Sequence, residues 1–99
     1  MAWFLYLIEC SDGSIYTGIT VDVTARYAAH ASGKGARYTR SHPPRRLLAA
    51  IEYPDRSAAS IAEFRIKQLS PPEKRAFGRL HGVRRKRVAR VKNRAASLQ

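Results

Sequence analysis

Cysteine is all but missing from this chain of 99 residues: Cys10 stands alone, which excludes an internal disulfide and any zinc site built from the chain's own thiolates. A reducing, cytoplasmic setting is therefore expected. Carboxylates are scarce as well. Asp+Glu come to 7 against Lys+Arg 19, a formal charge of +12, and so much positive charge on so small a body attracts polyanions and releases their counterions. Nucleic acid is the first expected partner and an anionic membrane surface the second. Long apolar runs are also lacking. The run from Met1 to Ile8 stops at Glu9, carries no leading basic residue, and is too short for a signal core or a bilayer span, so neither export nor membrane insertion is expected. There is no internal repeat. A chain of this length has room for one core, because a second could not bury enough apolar surface to offset the entropy of ordering it.

What is present reads as a small α+β unit, a three-stranded antiparallel sheet flanked by helices in the order β-β-α-β-α-α. From Trp3 to Cys10 the residues are apolar on both alternating faces, the mark of a central strand. Ser11-Asp12-Gly13 is turn chemistry, and Ile15 to Thr20 is a second strand rich in β-branched residues. Loop length decides where two tyrosines point: a three-residue loop with Gly13 in the left-handed position pairs Tyr6 with Gly18 and Ile8 with Tyr16, placing Tyr6 and Tyr16 diagonally on one face. Gly18 should then leave room beside Tyr6 for a substrate group. Asp22 is an N-cap for a helix ending at Gly33, with Val23, Tyr27 and Ala31 toward the core and Arg26 and His30 on the next stripe. Residues 33–40 read as a basic loop, Ser41 to Pro44 as a break, and Leu47 to Tyr53 as the third strand. Ser57 is expected to cap a helix to Leu69 with Ala58, Ile61, Ala62, Ile66 and Leu69 inward, and Ser70-Pro71-Pro72-Glu73 starts another. The expected division is residues 1–80 for the domain and 81–99 for a basic tail.

This order, with a tyrosine on each hairpin strand, an arginine on the first helix and a glutamate on the second, resembles the GIY-YIG endonuclease superfamily. The likeness is to its small stand-alone bacterial type, related to the N-terminal nuclease domain of UvrC. It rests on Phe4-Leu5-Tyr6 and Tyr16-Thr17-Gly18, supported by Asp12-Gly13-Ser14, Gly18-Ile19-Thr20, Arg26, His30, Gly35-Ala36-Arg37-Tyr38-Thr39-Arg40 and Ala62-Glu63. The resemblance implies a structure-sensitive nucleic-acid endonuclease or nickase, with DNA repair or recombination as its setting and a nucleoid-associated location. One Mg²⁺ or Mn²⁺ ion would sit on Glu63, largely hydrated as a hard cation held by one carboxylate is. Arg26 would bind the phosphate's non-bridging oxygens. Tyr6, assisted by His30, would orient and deprotonate water, with a nearby cation lowering the phenol's pKa, and Tyr16 would position the scissile phosphate. Larger members carry an asparagine shortly after the second helix. Here Asn93, the sole asparagine, lies in the tail, which leaves that role to Lys67 or Gln68.

Phosphate contacts without base reading are expected from Lys34, Arg37 and Arg40, from Lys67, and from the tail through Arg84, Arg85, Lys86 and Arg87, with Tyr38 available to stack on a base. DNA is favoured over RNA, and the sequence leaves the choice between monomer and weak dimer open. His42 and His81 read as surface residues and Cys10 as a small buried hydrophobe. The alternative reading is a non-catalytic basic binding module of the same fold, associated with RNA or the ribosome.

Overall fold

The computed structural model describes residues 1–82. Three strands, β1 (Trp3–Cys10), β2 (Ile15–Thr20) and β3 (Pro44–Tyr53), form one antiparallel sheet in the order β2-β1-β3. The doubly apolar strand is the central one, and Leu5 through Cys10 are all buried. Its two faces feed two layers. Leu5, Leu7, Ile15 and Ala49 pack with Ile66, Leu69 and Phe77 from α3 (Arg56–Lys67), the residues just after it, and α4 (Pro71–His81). On the other face Tyr6, Ile8 and Cys10 meet Tyr16, Leu47, and Val23 and Tyr27 of α1 (Val23–Ala31). Each fully buried leucine contributes about 1.5–3 kcal/mol relative to an exposed one.

The hairpin has the expected three-residue loop. Cys10 N–H donates to Ser14 O at 2.8 Å, Gly13 sits at φ 89, and the register pairs Tyr6 with Gly18 and Ile8 with Tyr16. At the other edge, register shifts between Leu7 and Ile8 and between Glu9 and Cys10 leave Leu48 and Arg45 as extra residues on β3. The second bulge lets two successive arginines reach one carboxylate, since a regular strand would turn them to opposite faces. Arg46 Nε lies 2.7 Å and Arg45 Nη2 3.4 Å from Glu9 Oε1. The strand begins three residues before the expected Leu47 because Pro44 can pair as the first residue of an edge strand.

Four local expectations are corrected. Asp55 caps α3, accepting from Ala58 N at 2.8 Å, so the helix starts before Ser57 and its inward stripe shifts to Ala59, Ala62 and Ile66; Ile61 is 53% exposed. On α1, Ala31 is exposed and His30 takes the core position, at the same stripe as Val23 and Tyr27 one further turn along. The segment read as a basic loop contains a short helix, α2 (Arg37–Ser41), inserted between α1 and β3. Gly18 leaves no free room, as the Tyr6 phenol itself fills the space. By contrast α4 starts as expected, with Ser70 and Glu73 capping each other reciprocally and Pro71 in the first turn.

Candidate active site

Tyr6, at the middle of the central strand, is 2% exposed, and its ring extends across the neighbouring β2. A Cβ on Gly18 would stand 2.5 Å from the Tyr6 hydroxyl, so only glycine admits the phenol there. The hydroxyl meets His30 Nε2 at 3.0 Å. Tyr16 joins from the same face, its ring centroid 6.2 Å from that of Tyr6 and 5.0 Å from that of His30. The row continues outward through Tyr38, 5.9 Å from Tyr16, to His42, stacked on Tyr38 at 4.1 Å and 9°.

Behind the imidazole stands Thr39, a buried residue of α2. Its Oγ1 is 2.6 Å from His30 Nδ1 and 3.0 Å from the Ala36 carbonyl. Counting protons at the two short contacts of Thr39 favours one tautomer. If the hydroxyl gave its single proton to Nδ1, its oxygen would face the Ala36 carbonyl lone pair to lone pair. Both short contacts are satisfied only when Thr39 donates to Ala36 O and Nδ1–H donates to Thr39, which leaves Nε2 to accept from the Tyr6 hydroxyl. The opposite tautomer would instead keep the hydrogen bond that Ala36 N–H donates to Nδ1 at 3.4 Å, which this one gives up for the two shorter contacts. Gly35 is required for this loop to close over the ring, because a Cβ there would collide with the imidazole.

Burial lowers the His30 pKa, and Arg26 lowers it further, so the imidazole is held neutral. Burial also raises the Tyr6 phenol above 10.0; the Arg26 guanidinium opposes this without prevailing, while the Tyr16 and Glu63 charges add to the rise. Arg26 alone therefore does not lower the Tyr6 pKa: desolvation outweighs it. The phenol can release its proton most easily by passing it to His30 as it receives another. The charges of Arg26 on α1 and, more weakly, Glu63 on α3 also act on the Tyr6 phenol.

Glu63 projects from the edge of the inward stripe of α3, its side chain 24% exposed and paired with Lys67 Nζ at 3.3 Å. Among the described residues no cluster of three or more His, Cys, Asp or Glu exists that could hold a metal. One accessible carboxylate is nonetheless the donor set that suits a cation retaining most of its water, as Mg²⁺ does, and does not suit one needing a full protein cage. Glu63 therefore fits a hydrated divalent ion.

Lys34, Arg37 and Arg40 are exposed, Tyr38 is 38% exposed, and Lys67 lies at the end of α3. The tail residues Arg84, Arg85, Lys86 and Arg87, and Asn93, lie outside the described residues. Reading the sequence missed Thr39 and His42. No helical or strand periodicity marks either one; Gly35, five residues after His30, is the only sign that the chain turns back over the imidazole. His42 is half-buried rather than a free surface residue, with Nδ1 2.9 Å from Tyr38 O and Nε2 3.7 Å from Asp12. Cys10 is fully buried, as expected.

Three comparisons bear on this arrangement. The model of the GIY-YIG catalytic domain matches residues 2–76. A UPF0213 protein of Cupriavidus necator is 57% identical over 76 residues, covering 77% of this chain and 83% of that protein. Another, from Xanthomonas campestris, is 48% identical over 81 residues, covering 82% and 79%. The solution NMR structure of a UPF0213 protein from Bacillus halodurans superposes with a TM-score of 0.54 at 44% identity, covering 84% of this chain and 88% of that one.

Proposed function

Because the chain belongs to the GIY-YIG family and has its nuclease-type fold, we propose that it is a metal-dependent endonuclease or nickase acting on structured nucleic acid, DNA in preference to RNA. The observation that carries this reading is the Tyr6 hydroxyl bonded to a neutral, buried His30 at 3.0 Å, beside Tyr16 and under the combined charges of Arg26 and Glu63. An isolated buried tyrosine would need no such surroundings.

In the proposed reaction the Arg26 fork grips the non-bridging oxygens of the scissile phosphate. Tyr16 holds that phosphate against the sheet. An attacking water lies on the Tyr6 oxygen, and as it loses a proton to the phenol, the phenol passes its own to His30 Nε2, so no buried phenolate forms. Glu63 would hold the divalent ion, whose contribution when bound would be Lewis-acid stabilisation of the departing oxygen. The imidazolium so formed has Thr39 as an acceptor for Nδ1–H and returns its proton to solvent through Tyr6. The positive charge of the chain brings the substrate in.

The test is a cleavage assay on branched, flapped, single-stranded and linear substrates with Mg²⁺, Mn²⁺ or chelator. Metal-dependent strand breaks that vanish in Glu63→Ala while binding persists are expected. Purified protein that cuts none of these substrates under any metal condition would leave a binding module of the same fold.

A further inference from the structure

Beside Tyr16 lies a groove of about 310 Å³ lined by Ile15, Tyr16, Thr17, Tyr38, Lys67 and Lys74. Its walls come from β2, α2, α3 and α4, so four elements converge on it. Three of its features are individually unfavourable and share one remedy. Lys67 and Lys74 bring two ammonium groups to the same groove, and only Lys67 has a carboxylate, Glu63, at 3.3 Å. Among the described residues none pairs with Lys74. It is only part-exposed, and burial followed by the charge of Lys67 lowers its pKa, so the ammonium sits in a place that disfavours its charge. Thr17, 3% exposed, carries the one buried side-chain polar atom among the described residues that has no hydrogen-bond partner. A native structure keeps such groups where something else supplies a reason.

We propose that this groove is a second phosphate subsite, which seats the phosphate of a nucleotide flanking the scissile one between Lys67 and Lys74, against the exposed edge of Tyr38. An anion there relieves the repulsion between the two lysines and supplies the counter-charge that Lys74 lacks. Lys67 has three donors and spends one on Glu63, leaving others for the phosphate. The Thr17 hydroxyl has its proton available for the same ligand or for a water that bridges to it. Tyr38, held between Tyr16 and His42 in the aromatic row, presents its exposed edge to the groove. The contact is consequently to the nucleic-acid backbone and predicts tolerance of sequence. Tyr16 borders both the groove and the cluster around Tyr6, which makes the subsite contiguous with the reaction centre.

The inference rests on the nucleic-acid reading above, and its test needs no cleavage. Affinity of the full chain for a labelled single-stranded oligonucleotide is measured in chelator across a salt series. Lys74→Gln should weaken binding about equally for all sequences and reduce the slope of log K against log salt by about 0.7, the value for one phosphate contact on a single strand. Arg56→Gln is the charge control, because Arg56 stands at the start of α3 against the Trp3 ring, 5.5 Å from its centroid; it should leave the slope nearly unchanged. Thr17→Val should raise the melting temperature, since it removes an unpartnered buried hydroxyl, and at the same time lower affinity. If Lys74→Gln and Arg56→Gln reduce affinity and slope alike, or if Thr17→Val leaves affinity intact, the subsite is overturned. A chain that never cleaves but shows the Lys74-specific slope would keep the subsite and lose the hydrolase; cleavage without that slope would do the reverse.

Discussion

On β1, Leu5 and Leu7 look into the layer under α3 and α4, while Tyr6 and Ile8, one residue away on either side of Leu7, look into the layer under α1. Both layers are buried, yet they are filled differently. The first is closed by aliphatic side chains and Phe77, whose attraction is non-directional. The second contains a phenol, an imidazole and a hydroxyl, each nearly inaccessible and each hydrogen-bonded to the next. Burying such groups costs free energy unless every donor finds an acceptor, so this layer tolerates only one arrangement. The contrast separates two jobs on one strand: odd positions supply stability, and Tyr6 supplies a proton path.

Removing one group from each layer should break the contrast most sharply. Tyr6→Phe keeps the ring and deletes the hydroxyl, so cleavage is expected to fall by about 10²–10⁴-fold, the range for losing a positioned acid–base group, while thermal stability changes by about 1 kcal/mol. A Phe variant cutting at near the parent rate would remove Tyr6 from the mechanism. Leu7→Ala should do the opposite. It is expected to lose about 2–5 kcal/mol of unfolding free energy in denaturant titrations, with the rate per folded molecule retained. Equal damage to both properties in both variants would mean that the two layers are not separable.

Much of this division is written in the sequence. Alternation identified β1 as central, and the Ser11-Asp12-Gly13 loop fixed the register that brings Tyr6 and Tyr16 to one face, because both signals are local. The helix starts at Asp22 and Ser70 were legible for the same reason. What escaped was tertiary. His30 and Ala31 are adjacent on α1, and helical periodicity alone does not decide which of them enters the core; the partner that favours His30, Thr39, comes from a segment whose glycines suggested only a loop. Asp55 and Ser57 are both competent caps, and packing of α3 on the sheet chose the earlier one. That burial of the Tyr6 phenol outweighs Arg26 was not legible either, since burial cannot be read from its neighbours in the chain.

The polar layer can be probed through its innermost member. Thr39→Val keeps the shape and leaves His30 Nδ1–H without an acceptor, an expected cost of about 1–3 kcal/mol. The missing acceptor should also shift the imidazole toward the other tautomer, visible in its ¹⁵N shifts, whereas Thr39→Ser should restore the parent spectrum. An unchanged tautomer in the Val variant would show that Thr39 only fills space. The pH dependence follows from the same geometry. Folding lowers the His30 pKa, so the unfolded chain binds more protons near and below pH 6.5; stability from this group is full above that value and falls as pH drops through it. The acid limb of the cleavage rate should likewise lie below 6.5, where His30 can no longer accept a proton. A limb at higher pH would mean that a different base is at work.

The smallest effect separates the two carboxylates of interest. Glu9, on the apolar face, is 5% exposed and surrounded by Arg45, Arg46 and Arg75, the last also donating to Gly13 O. Its hydrogen bond from Arg46 is the main reason its pKa lies below 4.5. Glu63, part-exposed and paired with one lysine, can exchange its partner; Glu9, enclosed by three guanidiniums, cannot do so cheaply. Glu9→Gln should therefore leave cleavage intact and cost about 1 kcal/mol, modest because the Arg45 and Arg46 side chains are 60% and 66% exposed and water screens them. The parent holds this contribution above the unfolded carboxyl's pKa and loses it as pH falls below about 4.5 through the lowered native value. The Gln variant should thus show a shallower loss of melting temperature on acidification, the difference closing at the lowest pH. Parallel curves for the two proteins would mean that the arginine cluster does not stabilise the fold through the Glu9 charge, and that the two carboxylates differ less than their surroundings indicate.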